Sequence, residues 1–320
     1  MPRLYLPRPL HLALFCVLLA ALPACQRAYK APIDTLQKST ADATRAITTY
    51  YTALNQQERD LYFLTLLLNP NERVEEVTAQ GKETPLLADS FDPVAIQARI
   101  ALITQLATYA DRLSALAGNE APKELRTSLM ALGSSLANVQ TTFADLARNR
   151  ADEQATAYIS PLSTLIAVVG EAALIKRRDK AIQKAILDGE APINQILDFL
   201  TKDLNKYVFL AQKTGDDQKL TQLMVAYNTL ANRKAIPRDE LKKRLDEIQR
   251  AAEQLRLTRT NRPSDVLRVL KKAHVALVGV AKSTTTFQQF QTSVLAYETQ
   301  VDLFLKAAQR INELRKADHP

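Results

Sequence analysis

The chain is poor in the residues on which most catalytic and metal sites depend. It has two cysteines, three histidines, seven glycines and no tryptophan among 320 residues. It contains no His-Glu-x-x-His motif, no Gly-x-Ser-x-Gly elbow, no phosphate-binding glycine loop and no dinucleotide fingerprint. A zinc site needs three or four protein ligands, which so few histidines and thiols do not supply. The sequence therefore predicts no enzyme activity, no metal ion and no cofactor.

Both cysteines lie in the first twenty-five residues, in a segment with the features of an export signal. Arg3 and Arg8 are its only charged residues, and the run Leu10–Leu22 is apolar except for His11. Thirteen helical residues cover about 20 Å, which is short of the ~30 Å hydrocarbon core of a bilayer. A run of this length with a positive start and small residues at its end is typical of a cleaved signal.

The end of this run, Leu22-Pro23-Ala24-Cys25, resembles the signal of bacterial lipoproteins. The resemblance implies cleavage after Ala24 and a diacylglyceryl thioether on Cys25, with the mature protein held to a membrane of the cell envelope. Gln26, where sorting to the inner membrane would need Asp, implies the outer membrane if the host has two membranes. An ordinary cleaved signal and an uncleaved anchor remain as alternatives. If Cys25 is acylated, the mature chain keeps no free thiol and no disulfide.

The rest of the chain has the apolar spacing of long helices. From Ile33 to Leu68 apolar and small residues recur at alternating steps of three and four, which is the pattern of a coiled-coil seam. Residues 69–92 lack this spacing and predict a long loop, either mobile or functional, of which the mobile loop is the favoured interpretation. Proline and glycine predict further helix boundaries near Asp92-Pro93, Gly118, Pro122, Ser160-Pro161, Gly189, Pro192, Gly215, Pro237, Pro263 and 283–286. The apolar stripe changes phase near Gly215, which predicts a break or a bend there. The spacing also predicts a stripe after Pro237, made of Leu241, Leu245, Ile248, Ala252 and Leu255, and a seam near the end of the chain, made of Phe290, Val294, Tyr297, Val301, Phe304, Ala308 and Ile311.

The apolar spacing and these boundaries together predict an all-α fold, an elongated antiparallel helical bundle with coiled-coil-like heptad seams. The predicted organisation is a signal peptide at 1–24, a lipidated tether at 25–32, and a helical bundle at 33–320 with a possible sub-division near residue 189. Oligomeric state stays open, because heptad seams pair between chains as readily as within one.

Positive charge is concentrated in residues 233–272. Without residues 1–24 the chain has 40 basic and 34 acidic residues, a net charge of +6, whereas 233–272 alone carries 13 basic and six acidic residues. A predicted helical hairpin therefore holds the whole excess. It is a candidate surface for an anionic envelope component or an acidic protein partner; the alternative is a solvated face with i, i+4 ion pairs. The candidate residues are Arg238, Lys242, Lys243, Arg244, Arg256, Arg259, Arg268, Lys271 and Lys272.

Nucleic acid is an unfavourable partner, because aromatic residues are not interleaved with these charges and the predicted compartment contains little of it. His274 falls on the predicted seam of the last helix, where a single histidine is more typical of a core residue than of a ligand. The sequence thus predicts a lipid-anchored helical scaffold or interaction protein of the bacterial cell envelope, facing the periplasm or the surface.

Two stretches of low charge suggest a different function. Residues 154–170 have no charged residue, and 273–297 have only Lys282 besides His274. One interpretation is a membrane-active effector, loosely similar to helical pore-forming toxins, that inserts residues 158–175. The other is a pair of central helices that pack closely at Gly170 and Gly279, and Glu171 and the shortness of the apolar run favour this second interpretation.

Overall fold

The computed structural model describes residues 9–69, 71–118, 122–149, 152, 154–232 and 236–317. Side chains are described from Lys30 onward, apart from those of Leu116, Pro122, Arg178 and Asp179. The helices are α1 Pro9–Thr52, α2 Leu54–Leu68, α3 Pro93–Ala117, α4 Pro122–Asn149, α5 Ala155–Leu174, α6 Arg178–Asp203, α7 Leu210–Ala231, α8 Arg238–Thr260, α9 Pro263–Ala281 and α10 Phe287–Ala317. A π-helical turn, Leu204–Phe209, joins α6 to α7. The described residues contain no β-strand, so the predicted all-α bundle is confirmed.

Seven of the helices pack around one hydrophobic core. In the order α1, α3, α4, α5, α6, α9 and α10 each helix packs on the next, and α10 packs on α1 to close the ring. The largest fully buried side chains lie on α1, α3, α4, α5 and α10, and they include Ile47, Leu102, Phe143, Tyr158, Phe290, Tyr297 and Phe304. Because apolar residues recur at helical spacing on every one of these helices, burial of one stripe from each produces a continuous core.

The remaining helices extend the bundle at one end. α2 packs on α7, α7 on α8, and α8 on the C-terminal half of α10. We call this the far end; the near end is where Lys30 of α1 lies beside Gly118, just after α3. The amide of Gln222 in α7 donates to the hydroxyl of Thr65 in α2 at 2.8 Å, close to the tip. At 1.5 Å per residue, Thr65 lies about 50 Å from Lys30 along α1 and α2.

Several predicted boundaries are confirmed. The carboxylate of Asp92 accepts a hydrogen bond from the amide of Val94 at 2.9 Å and caps α3, with Pro93 at its first position. Residue 69 and residues 71–92 belong to the predicted irregular segment, and 282–286 separate α9 from α10. The seam of the first predicted rod is buried as far as Leu54. A short interruption at Ala53, which the spacing did not predict, divides the rod into α1 and α2.

The boundaries predicted in the middle of the chain were wrong. α6 continues through both Gly189 and Pro192, and the real break lies at 175–177. Gly189 allows a close approach: a Cβ there would lie 3.1 Å from the hydroxyl of Tyr109. Pro192 deprives α6 of one backbone bond, but packing against α3, α5 and α9 holds the helix together. Packing against neighbouring helices therefore keeps α6 helical at Pro192, although proline disfavours the interior of a helix.

The helix predicted to start at Ser160-Pro161 starts six residues earlier. Asp152 caps α5, because its carboxylate accepts bonds from the amides of Gln154 and Ala155 at 3.1 and 3.2 Å. Pro161 therefore lies inside α5 and is buried. Asp152 gave no recognisable cap signal, since the residue next to α5 is Gln154 rather than a preferred capping residue.

The change of phase predicted as a break at Gly215 has another cause. The π turn Leu204–Phe209 widens the helix by one residue and rotates the apolar stripe that follows. α7 then runs without interruption through Gly215, where a Cβ would lie 2.7 Å from the Gln57 amide nitrogen of α2. α6, the π turn and α7 thus form one rod on the order of 80 Å long.

Candidate functional site

The predicted lipidation site lies outside the part of the chain for which side chains are described. Cys25 and the signal residues before it precede Lys30, the first residue with a described side chain. The geometry of the remaining chain nevertheless places the residues that follow Cys25 at the near end of the bundle. Any lipid on Cys25 would therefore hold the near end to a membrane.

The basic residues of 233–272 do not form the predicted helical hairpin. Arg233 and Lys234 lie outside the described residues, Arg262 lies in the link between α8 and α9, and the others lie on these two helices. These two helices do not pack side by side: they follow one another along α10, α8 at the far end and α9 within the ring. The positive charge is consequently spread along the length of the molecule.

Ion pairs occupy four of the nine candidate basic residues. Arg244 pairs with Glu240 and Glu247 on its own helix, and Arg268 with Asp265. Two more reach neighbouring helices, Arg259 to Asp217 at 2.6 Å and Lys271 to Asp198 at 2.7 Å. Among the described residues no ion-pair partner contacts the other five, and all five are exposed: Arg238, Lys242, Lys243, Arg256 and Lys272. Lys242 and Lys243 are adjacent on the first turns of α8, so they present two cations at the far end.

A buried charged cluster lies where the π turn begins. Nε of Arg99 in α3 donates to Asp203 at 2.6 Å, and a terminal nitrogen donates to Asp152 at 2.9 Å. The hydroxyl of Tyr158 in α5 donates to Asp203 at 2.8 Å. Burial raises the pKa of Asp203, and Arg99 and the Tyr158 hydroxyl oppose that rise. We call these four residues the Arg99 cluster.

The Arg99 cluster has the character of a structural joint. It ties α3, α6 and the segment that caps α5 at one point, and the guanidinium donors are taken up by Asp203, Asp152 and the carbonyl of Ala95. A cavity of about 430 Å³ adjoins it, and Tyr51, whose buried hydroxyl has no hydrogen-bond partner, is one of the lining residues.

A second buried cluster joins three helices at the far end. Asp216 of α7 accepts hydrogen bonds from Gln57 of α2 at 2.9 Å, from Gln254 of α8 at 2.6 Å and from Thr258 of α8 at 2.7 Å. Burial raises the pKa of this carboxyl, and the bond from Thr258 opposes the rise. These four residues are the Asp216 cluster.

The Asp216 cluster corrects the sequence-based prediction for α8. The predicted stripe included Leu245 and Ala252, which are exposed, whereas the buried face consists of Ala251, Gln254, Leu255 and Thr258. This face is buried because the side chains of Gln254 and Thr258 donate hydrogen bonds to Asp216. The spacing of apolar residues gives no signal for such a polar face. The sequence analysis therefore predicted neither the Arg99 cluster nor the Asp216 cluster.

His274 is buried on the core side of α9, as predicted. Its ring lies edge-on to Tyr109, with 6.3 Å between ring centroids, and neither ring nitrogen has a hydrogen-bond partner. Burial lowers the pKa of the imidazole to about 4, so it is neutral at pH 7. No group of three or more potential metal ligands occurs among the described residues.

The two low-charge stretches do not pack together as predicted. Gly170 is exposed with open space beside it, and α5 and α9 are not packed side by side. Gly279 serves the turn after α9, because a Cβ there would collide with Thr285. Within the described residues α5 is the one helix apolar and long enough to cross a membrane, and it buries nine residues against α4 and α6. The core helix of a soluble protein can have the same length and apolar composition, so these two properties are weak evidence that α5 crosses a membrane.

Comparisons with models of protein families, with curated proteins and with solved structures find no match to this chain. The chemistry and placement of its own residues therefore carry the functional argument.

Proposed function

We propose that this protein is a lipid-anchored helical spacer of the bacterial cell envelope, which presents Lys242 and Lys243 at its far end to an anionic polymer of the cell wall. The lipoprotein-like signal supports the anchor at Cys25. One observation carries the proposal: the unpaired Lys242 and Lys243 lie at the far end, which Thr65 places about 50 Å from Lys30.

The distance supports a partner away from the anchoring membrane over the lipid of that membrane. Lys or Arg contributes about 1 kcal/mol of binding free energy when it lies close to an anionic membrane, and this contribution falls off within a Debye length of about 10 Å. If the bundle stands upright on its anchor, Lys242 and Lys243 lie several Debye lengths from the anchoring membrane. They are then placed to meet a polymer away from that membrane.

Charge reversal at the far end tests the partner. The double variant Lys242→Glu/Lys243→Glu is expected to bind purified cell-wall sacculi at least about tenfold more weakly in a co-sedimentation assay, because two attractive charges become repulsive. Binding of the unmodified protein is expected to weaken as salt is raised.

The matched control reverses two exposed basic residues at the near end. Lys123 and Arg126 occupy the first turns of α4 as the two lysines occupy those of α8, so Lys123→Glu/Arg126→Glu changes the net charge equally. Equal loss of binding in both double variants would show a non-specific charge effect and contradict the proposal. Release of dye from liposomes by the full chain would contradict it too, and would support insertion of residues 158–175.

The anchor has a test of its own. A Cys25→Ser variant is expected to lose metabolic labelling by palmitate and to leave the membrane fraction, because serine has no thiol to form the thioether. Retention of both palmitate and membrane association by the variant would refute lipidation at this residue.

A further inference from the structure

The link between α5 and α6 carries a run of basic residues at the near end of the bundle. Residues 176–180 comprise four basic residues and one acidic residue. The side chains described in this range, those of Lys176, Arg177 and Lys180, are all exposed. Ile175, just before them, is half-buried and packs against the core, so the link is fixed in position.

The start of α4 lies beside this link. The amide of Gln140 in α4 donates to the carbonyl of Ile159 in α5 at 3.3 Å, and a Cβ on Gly133 would lie 4.0 Å from Val169. The two helices are therefore antiparallel, and the first turns of α4 lie level with the link. The exposed cations of both elements form one surface, which we call the near-end basic face: Lys123, Arg126, Lys176, Arg177 and Lys180.

The near-end basic face keeps most of its positive charge. Leaving Arg177 aside, no member of the face has an ion-pair partner among the described residues. The carboxylate of Glu171, one turn before the end of α5, is paired with Lys184 at 2.8 Å. Glu124 is the acidic residue that lies among the cations. Five basic side chains therefore outweigh it.

An exposed leucine borders the same face. Leu174, the last residue of α5, is 69 % exposed and lies two positions before Lys176. A surface of this kind suits a phospholipid bilayer, where cations meet the phosphates and an apolar side chain enters the boundary of the acyl chains. A hydrophilic polymer offers no apolar phase to the leucine. The composition of the face thus favours lipid.

The near end is also the end that the proposed anchor would hold. Cys25 precedes Lys30 by five positions, and five residues span at most about 18 Å even when fully extended. Lys30 lies beside Gly118, close to the start of α4. A membrane that holds Cys25 is therefore next to the near-end basic face, where attraction between charges acts over about 10 Å.

From these observations we propose that the near-end basic face docks on the surface of the anchoring membrane. Its cations contact anionic phospholipid head groups, and Leu174 enters the boundary of the acyl chains. Together the anchor and the face hold the bundle upright, which is the orientation that the cell-wall partner requires. The choice of this membrane rests on the proposed anchor, but the contact is made by the residues of the face whether or not Cys25 is acylated.

Amine labelling of the full chain on vesicles tests the contact. The protein is added to vesicles of phosphatidylcholine alone or of equal parts phosphatidylcholine and phosphatidylglycerol, and a water-soluble acetylating reagent modifies exposed lysines. Lys123, Lys176 and Lys180 are expected to react about fivefold more slowly on the anionic vesicles, and added salt is expected to remove this protection. Lys242 and Lys243 at the far end are the internal control and are expected to react equally on both.

Tryptophan fluorescence tests the leucine separately. Because the chain contains no tryptophan, Leu174→Trp introduces a single reporter. On the anionic vesicles its emission is expected to shift to shorter wavelength and to be quenched by phosphatidylcholine that is brominated in its acyl chains. Leu245→Trp places the same reporter at an exposed position of α8 and is expected to show neither effect.

Two charge-reversal variants make the labelling test specific. Lys176→Glu/Lys180→Glu is expected to remove the protection of Lys123, because the face no longer attracts the head groups. Lys242→Glu/Lys243→Glu changes the net charge equally and is expected to leave the protection of Lys123 intact. All four substituted side chains are exposed, so neither variant disturbs the core.

Three results would overturn the proposal. They are equal reaction of the near-end lysines on both kinds of vesicle, equal protection of Lys242 and Lys243, and emission from Leu174→Trp that is not quenched. The last of these would also exclude phospholipid as the partner of the face. None of them bears on binding to sacculi, and a failed sacculus assay leaves the protection of the near-end lysines unchanged, so the two proposals fail separately.

Discussion

Replacing Arg99 with methionine is expected to lower the free energy of unfolding by about 3–5 kcal/mol. The change leaves Asp203, whose side chain is 2 % exposed, as a buried carboxylate without its counter-charge. It also releases Asp152 from the joint between α3 and the start of α5. Urea denaturation of the variant and the unmodified protein, followed by helical circular dichroism, measures the difference.

A double variant distinguishes loss of the ion pair from loss of packing. Arg99→Met/Asp203→Leu removes both charges, and it is expected to be more stable than Arg99→Met alone because no unpaired charge remains buried. The matched control is Arg310→Met, which breaks an exposed pair with Glu253 on α8 and is expected to cost less than about 1 kcal/mol. Equal losses in Arg99→Met and Arg310→Met would show that the buried cluster has no special role.

Acidification is expected to destabilise the protein through His274. In the folded chain the imidazole of His274 has a pKa of about 4, below the usual value of about 6.5 for a free histidine. As the pH falls below about 6.5, His274 takes up a proton in the unfolded chain but stays neutral in the folded chain. The free energy of unfolding therefore falls until the pH reaches about 4. Integrated over that window, the loss from this residue is about 3 kcal/mol.

The variant His274→Leu isolates this contribution from that of the carboxylates. Leucine fits the buried seam position without a titrating group and without the two unpartnered nitrogens. The difference in unfolding free energy between the variant and the unmodified protein, measured by urea denaturation, is expected to grow from pH 7 to pH 4. Two stability curves that stay parallel over this range would refute the burial of a neutral imidazole.

The sequence predicted well wherever an element depends on its own residues. The seam from Phe290 to Ile311 is buried as its spacing indicated. The cap and proline at the start of α3 act locally and needed no neighbour to be recognised. The irregular segment 69–92 has too few spaced apolar residues to form a helix.

The failures occur where a neighbouring helix decides the outcome. Pro192 should end a helix by itself, yet α6 continues because the helices around it hold it. The phase change before α7 was detected, but its source was a π turn beside the buried Asp203. The inward face of α8 depends on Asp216 of another helix. None of these has a periodic or local signal.

The sequence by itself determined an all-helical bundle, the position of its long seams and the lipoprotein-like start, because helix spacing, capping and export signals are written in adjacent residues. Only the tertiary structure decided which end of the molecule carries Lys242 and Lys243, how α8 and α9 are arranged, and where Arg99, Asp203 and Asp216 meet. The physical reason is that these features join residues far apart in the chain, such as Gln57 and Asp216, which are 159 positions apart. Burial and hydrogen bonding bring them together only once the helices have packed.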